Sequence, residues 1–180
     1  MLLPRLLTAA VLSAALAAPA LVAPRPIPPG PGAILDMLKG MLAAADKGDA
    51  KGVLDCLEQD GTLPIQLYTE TSDGRPVTAR GRTVVASYVG RVLGEMEHRG
   101  AKVVTTITQS AADCHSPELG FATLEFTRTI TVKDQPEKQS SHRATVLVRY
   151  GKDRAWHWFH WHDSRGTAAA APAPGKSAAK

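Results

Sequence analysis

The chain has 180 residues, 44% of them hydrophobic and 21% charged, with a formal net charge of +4. Basic residues are scattered among acidic ones and form no stripe interleaved with aromatics, which argues against a nucleic-acid footprint. The glycine-rich phosphate loops of nucleotide-binding proteins are absent as well.

Met1 to Arg5 carry one positive charge, Leu6 to Ala17 are apolar apart from Thr8 and Ser13, and small residues follow. This pattern predicts a secretory signal peptide over 1–20 and a secreted or periplasmic destination, in the cell envelope. The apolar run is shorter than the roughly 20 residues of a bilayer span, and no second one follows, so no span is expected in the mature form. No cysteine near the exit site is available to carry a lipid. Residues 21–32 read as a proline-rich linker, and 167–180 as a disordered Ala/Pro tail. The 134 residues between them, 33–166, are a normal size for one domain with its own core.

Within that domain Ile34, Leu35, Leu38, Met41, Leu42 and Ala45 recur at the spacing of one helical face. Lys47-Gly48 ends the helix, and Asp49 suits the N-cap of a second one carrying Val53, Leu54 and Leu57. Leu63, Ile65 and Leu67 then alternate as in a half-buried strand. Ser72-Asp73-Gly74 marks a turn, and Arg75 to Ala79 returns as the second arm of a hairpin. After Gly81 a third helix places Val84, Val85, Tyr88, Val89, Val92, Leu93 and Met96 on one face, ending at Gly100. Four strands follow: 102–112, 121–132, 141–150 and 154–163. Their short connections imply an antiparallel sheet.

Two cysteines, Cys56 and Cys114, permit a disulfide outside the cytoplasm. It would close a loop of nearly sixty residues, an effect of about 4 kcal/mol in the chain-entropy picture. Two buried free thiols are the alternative.

Three passages carry a resemblance: ILDMLKGMLAAADKGDAKGVLDCL, SDGRPVTARGRTVVASYV and the closing WHWFHWHDS. Together, in this order and spacing, they are similar to the nuclear transport factor 2-like superfamily, in particular its SnoaL-like branch, over roughly residues 33 to 165. The resemblance implies an α+β fold in which a curved antiparallel sheet wraps around three N-terminal helices as a cone with a pocket at its wide end. It also implies pairing through the outer face of the sheet. Fold alone does not choose among the isomerases, dehydratases, cyclases and binding proteins of that superfamily.

Strand parity divides the closing segment. Trp156, Trp158, His160 and His162 share one face; His157, Phe159, Trp161 and Asp163 share the other. By the resemblance the first set lines the cone, and His157, Phe159 and Trp161 form a homodimer face, since exposed apolar stripes mark interfaces. His160 and His162 are then the candidate acid/base residues, because an imidazole with a pKa of about 6.5 donates or accepts at neutral pH. Hydrogen-bonded structural histidines are the plainer alternative. Arg128, His142, Tyr68 and Tyr88 join Trp156 and Trp158 as expected ligand-pocket residues. Arg128 falls among apolar neighbours and calls for an anion, protein carboxylate or ligand, the alternative being a side chain near the strand end that reaches water.

A zinc site would need a third ligand beside His160 and His162. His142 is the obvious one, but no cysteine or carboxylate cluster accompanies it, so no metal or cofactor is assigned. The tyrosine and sheet carboxylic acids of the superfamily's steroid isomerases are not matched: the first helix offers Met37 and Met41, and Phe126, Ile130 and Val146 hold the inward positions. A non-catalytic module binding a small, partly apolar or anionic ligand is the first expectation. A small acid/base enzyme of isomerase, dehydratase or cyclase type is the second. A structural or partner-interaction domain with its pocket filled by its own side chains is the third.

Overall fold

The computed structural model describes residues 27–166 apart from 62, 72 and 73. The expected signal peptide, the first part of the linker, the C-terminal tail and the hairpin tip at 72–73 lie outside the described residues. Helices α1 (Pro31–Asp46) and α2 (Ala50–Asp55) lead into strands β1 (Gln66–Glu70) and β2 (Pro76–Arg80). Helix α3 (Arg82–His98) follows, then β3 (Lys102–Cys114), β4 (Leu119–Thr131), β5 (Lys138–Tyr150) and β6 (Trp156–Gly166). No helix among the described residues is long and apolar enough to cross a membrane.

Local chemistry sets the helix boundaries. Pro31 opens α1, where its missing N–H costs nothing. Asp49 caps α2 by accepting a hydrogen bond from Gly52 N at 2.9 Å. The first hairpin strand starts at Gln66, three residues beyond the expected Leu63, although Ile65 and Leu67 are both buried.

The six strands form one curved, unclosed sheet in the order β2-β1-β6-β5-β4-β3. All neighbours are antiparallel except one. β1 runs parallel to β6, pairing Gln66, Leu67 and Tyr68 with His160, Trp161 and His162, so the sheet is mixed where short connections implied a purely antiparallel one. β2, α3 and strands β3 to β5 intervene before the chain returns beside β1, a connection long enough to allow the parallel pairing.

Ile34, Leu38, Met41 and Leu42 of α1 pack into the concave face against Ala122, Leu124, Phe126, Ala144, Val146 and Val148. Gly120 permits this approach. A Cβ there would stand 2.7 Å from Ile34 Cδ1 and 2.9 Å from the backbone oxygen of Asp113, so any larger residue would force the Ile34 side chain and β3 to give way.

The feature that governs the site is a β-bulge in β6. Val148 pairs with Trp158, but Leu147 pairs with His160, so Phe159 is an extra residue with no partner on β5. The outer partner of β6 changes at the same place. Trp158 is bridged by the segment leaving α2, through Trp158 N to Cys56 O and Glu58 N to Trp158 O, both 2.9 Å; β1 takes over at His160. An extra residue reverses side-chain parity beyond it. Trp156 and Trp158 face inward before the bulge, and Trp161 and Asp163 face inward after it.

Candidate functional site

The concave face of the sheet and the helices enclose a cavity of about 550 Å³. Its roof is the apolar face of α3, which contributes Tyr88, Val89, Val92 and Met96, and its floor includes Trp158 and Trp161. The two tryptophan rings meet edge to face at 6.3 Å. Trp158 Nε1 is buried and has no hydrogen-bond acceptor among the described residues, leaving a donor in the cavity wall.

The polar centre of this cavity spans β5, β6 and β1. His142 and Asp163 are 8% and 7% exposed, and His142 Nδ1 lies 3.1 Å from Asp163 Oδ1. His142 Nε2 lies 2.8 Å from Ser140 Oγ. The second carboxylate oxygen, Asp163 Oδ2, accepts from Thr69 Oγ1 at 3.3 Å. An ionised carboxylate only accepts, so Nδ1 carries the proton and Nε2 is left to accept from the serine hydroxyl. The result is a hydrogen-bonded line from Thr69 through Asp163 and His142 to Ser140, with all four residues lining the cavity.

Beside this line stands a cation. Arg128 Nε donates to Thr105 Oγ1 at 3.4 Å, and Thr105 is itself fixed by Asp46 at the end of α1, through two 2.7 Å bonds to its N–H and hydroxyl. The Phe126 ring joins the two groups: His142 stacks on it at 5.0 Å, and the Arg128 guanidinium lies 5.5 Å from its centroid. Burial pulls the Arg128 guanidinium below its ordinary pKa, against the opposing pull of Asp163 and Asp46. Burial likewise pushes the Tyr88 hydroxyl up, partly offset by Arg91, so Tyr88 is a neutral donor over a wide pH range.

The bulge moves several residues from where uninterrupted parity put them. His160 and His162 do not line the cavity: they sit on the convex face, opposite Leu147 and Thr145 and packed against Tyr68 at 5.5 and 6.0 Å. Tyr68 shares that outer face, because its neighbour Leu67 points inward with Trp161. Trp161, expected on the dimer face, is buried in the cavity wall. Of the other two expected there, His157 is buried against Asp153 of the preceding turn, with Nε2 and Oδ2 2.9 Å apart. Phe159 is half-buried against the core. Trp156 is core rather than cavity wall, and its Nε1 donates to Pro29 O at 3.0 Å. Arg128, His142, Trp158 and Tyr88 do line the cavity. Cys56 and Cys114 are free, partly buried thiols, so the disulfide that their even count permits is not formed.

Sequence reasoning missed Asp163, Ser140 and Thr69. Uninterrupted strand parity puts Asp163 on the outer face, and neither hydroxyl stands out from the many serines and threonines of these strands. Among the described residues no group of three His, Cys, Asp or Glu side chains is arranged to hold a metal ion.

The fold has counterparts among solved structures. One is a nuclear transport factor 2-like protein of unknown function from Pseudomonas putida KT2440, 17% identical, with a TM-score of 0.58 over 73% of this chain and 82% of that one. The chain has the nuclear transport factor 2-like fold. A second counterpart with this fold is a candidate dehydratase of that family from Streptomyces avermitilis, 12% identical, TM-score 0.61, covering 76% of this chain and 96% of that one. A third is a candidate calcium/calmodulin-dependent protein kinase II association domain from Xanthomonas campestris, 16% identical, TM-score 0.57, covering 75% and 86%. No protein-family model and no curated protein matches the chain.

Proposed function

We propose that this chain is an exported enzyme that holds a small, partly apolar, anionic ligand in its cone and moves a proton on it by general acid/base chemistry. The observation that carries this reading is the buried Asp163–His142 pair, continued by the half-buried Ser140, opening into a cavity of about 550 Å³ beside Arg128. Asp163 fixes the tautomer of His142, so Nε2 takes a proton directly or through Ser140 Oγ and returns it later in the cycle. Arg128 and the Trp158 N–H offer donors to a carboxylate or carbonyl oxygen of the ligand, and the aromatic and aliphatic walls take its apolar part. The likeness to a candidate dehydratase supports the same class of chemistry.

A plain binding module would need the cavity and Arg128 but not a buried His–Asp pair, which stabilises no better than well-packed apolar side chains. A purely structural domain would have filled its cone. On the convex face Phe121 and Leu147 are cross-strand partners and, with Leu119, are exposed at 42%, 36% and 38%. This apolar patch supports a homodimer formed through the sheet.

The test is to incubate the protein in D2O with a panel of small β-hydroxy carbonyl compounds, each carrying a carboxylate, and to follow the protons next to the carbonyl by NMR. Loss of those protons, or elimination of water, on at least one compound is expected. Compounds that bind but are never exchanged or converted would reduce the site to a binding pocket.

A further inference from the structure

We propose that Ser140 is a nucleophile and that the cone hydrolyses a small anionic ester through an acyl-serine intermediate. This rests on the reading of His142 as the site's base, and adds what the base acts on. Three distances fit the arrangement of an activated serine: Oγ to Nε2 at 2.8 Å, Nδ1 to Asp163 Oδ1 at 3.1 Å, and Asp163 Oδ2 to Thr69 Oγ1 at 3.3 Å. A second acceptor within reach of the serine hydroxyl, Arg128 O, is 3.5 Å away against 2.8 Å for His142 Nε2, so the shorter bond directs its proton at His142. Ser140 and His142 sit two apart on β5 and therefore share the concave face, and both line the cavity. Such a serine is recognised by geometry and not by chain order.

The surroundings supply the remaining requirements. Arg128 is the Cα partner of Ser140 across the β4–β5 ladder, and its guanidinium is the cation available to a tetrahedral oxyanion. Arg75, Arg91, Arg99, Lys138 and Arg165 also line the cavity, against the carboxylates of Glu70, Glu95 and Asp163, so an anionic ester is favoured over a neutral one.

The chemistry balances with water as the only co-reactant. Ser140 Oγ attacks the ester carbonyl carbon while its proton passes to His142 Nε2. The carbon–oxygen bond to the alcohol breaks, and His142 protonates the departing alkoxide. Water then attacks the acyl-serine and gives its proton to His142. Collapse frees the carboxylic acid, and Ser140 recovers its proton.

The experiment treats the folded, full chain with a fluorophosphonate, locates any adduct by peptide mass spectrometry, and measures hydrolysis of p-nitrophenyl hemisuccinate. One adduct on Ser140 is expected in the native protein, with none in Ser140→Ala, and ester hydrolysis about a hundredfold lower in that variant. His142→Asn should slow labelling by a similar factor. No adduct in the native protein, or an adduct on another residue, overturns the inference while leaving the proton-transfer reading of the site intact. Labelling of Ser140 that His142→Asn does not slow overturns the role of His142 as base, and with it that earlier reading.

Discussion

His142 Nδ1 and Asp163 Oδ1 stand 3.1 Å apart on adjacent strands, both side chains buried, and Phe159 is inserted between Trp158 and His160 without a partner on β5. Removing one member leaves the other buried without its partner. Asp163→Ala should therefore lower stability by about 1–3 kcal/mol in denaturant titration. Asp163→Asn, nearly the same shape, should keep the fold and lower any turnover about a hundredfold, since an amide no longer enforces the His142 tautomer. Equal turnover in the folded Asn variant would contradict the assigned role of the carboxylate.

Deleting Phe159 tests the bulge itself. Without the extra residue, β6 pairs continuously with β5, Trp158 opposite Val148 and His160 opposite Leu147, so His160 and His162 stay outward and Trp161 and Asp163 stay inward. The deletion variant should keep a cooperative thermal transition in circular dichroism and a buried Asp163; a variant that does not fold would contradict the reading of Phe159 as an insertion outside the β5–β6 register.

How far the sequence was readable follows from the same strand. On β4 the contrast between Ala122, Leu124 and Phe126 and the intervening Thr123, Glu125 and Thr127 assigns the faces correctly, because burial separates the two sets. On β6 tryptophan, phenylalanine and histidine occupy both faces, so hydrophobic contrast has nothing to discriminate, and a bulge leaves no strong signature of its own. Everything beyond Phe159 is affected: unbroken parity puts His160 and His162 in the pocket and Asp163, the carboxylate that orients His142, outside it. On α3 the amphipathic face was legible, yet only Val85 and Leu93 are buried. Tyr88, Val89, Val92 and Met96 roof the cavity and Val84 is exposed, a distinction no periodicity can make.

Arg128 should select charge. Arg128→Met keeps the apolar stem over Phe126 and removes the cation. Its affinity for a small carboxylate ligand, read by calorimetry, should fall about ten- to a hundredfold, the value of one charge-assisted hydrogen bond set. A neutral ligand of the same shape should lose little. Equal losses for both would indicate a collapsed cavity.

The convex-face histidines should appear in stability, not in turnover. Burial, reinforced by the charge of His162, holds His160 below its ordinary pKa. The unfolded chain therefore takes up a proton at a higher pH than the folded one, and stability rises with pH through that interval. It is present above about 6.5 and is lost as pH falls below that value. The melting temperature should drop between pH 7.5 and 5, and His160→Gln should lessen the drop. An identical profile in the variant would remove His160 as the cause.

If the convex face forms the proposed dimer, Phe121→Glu places a charge at the centre of its apolar patch. Light scattering at micromolar concentration should then give the mass of two chains for the native protein and of one for the variant. A native protein already of single-chain mass would remove the dimer from the account.

The central claim, that His142 is the acid/base residue of a catalytic cone, is tested most directly by comparing native protein and His142→Asn on a compound turned over in D2O. The account predicts a loss of about a hundredfold or more in the variant, with the same ligand affinity and an unchanged circular dichroism spectrum. Turnover retained within about twofold would contradict it, because no general base contributing the usual 10²–10⁴-fold can be removed so cheaply.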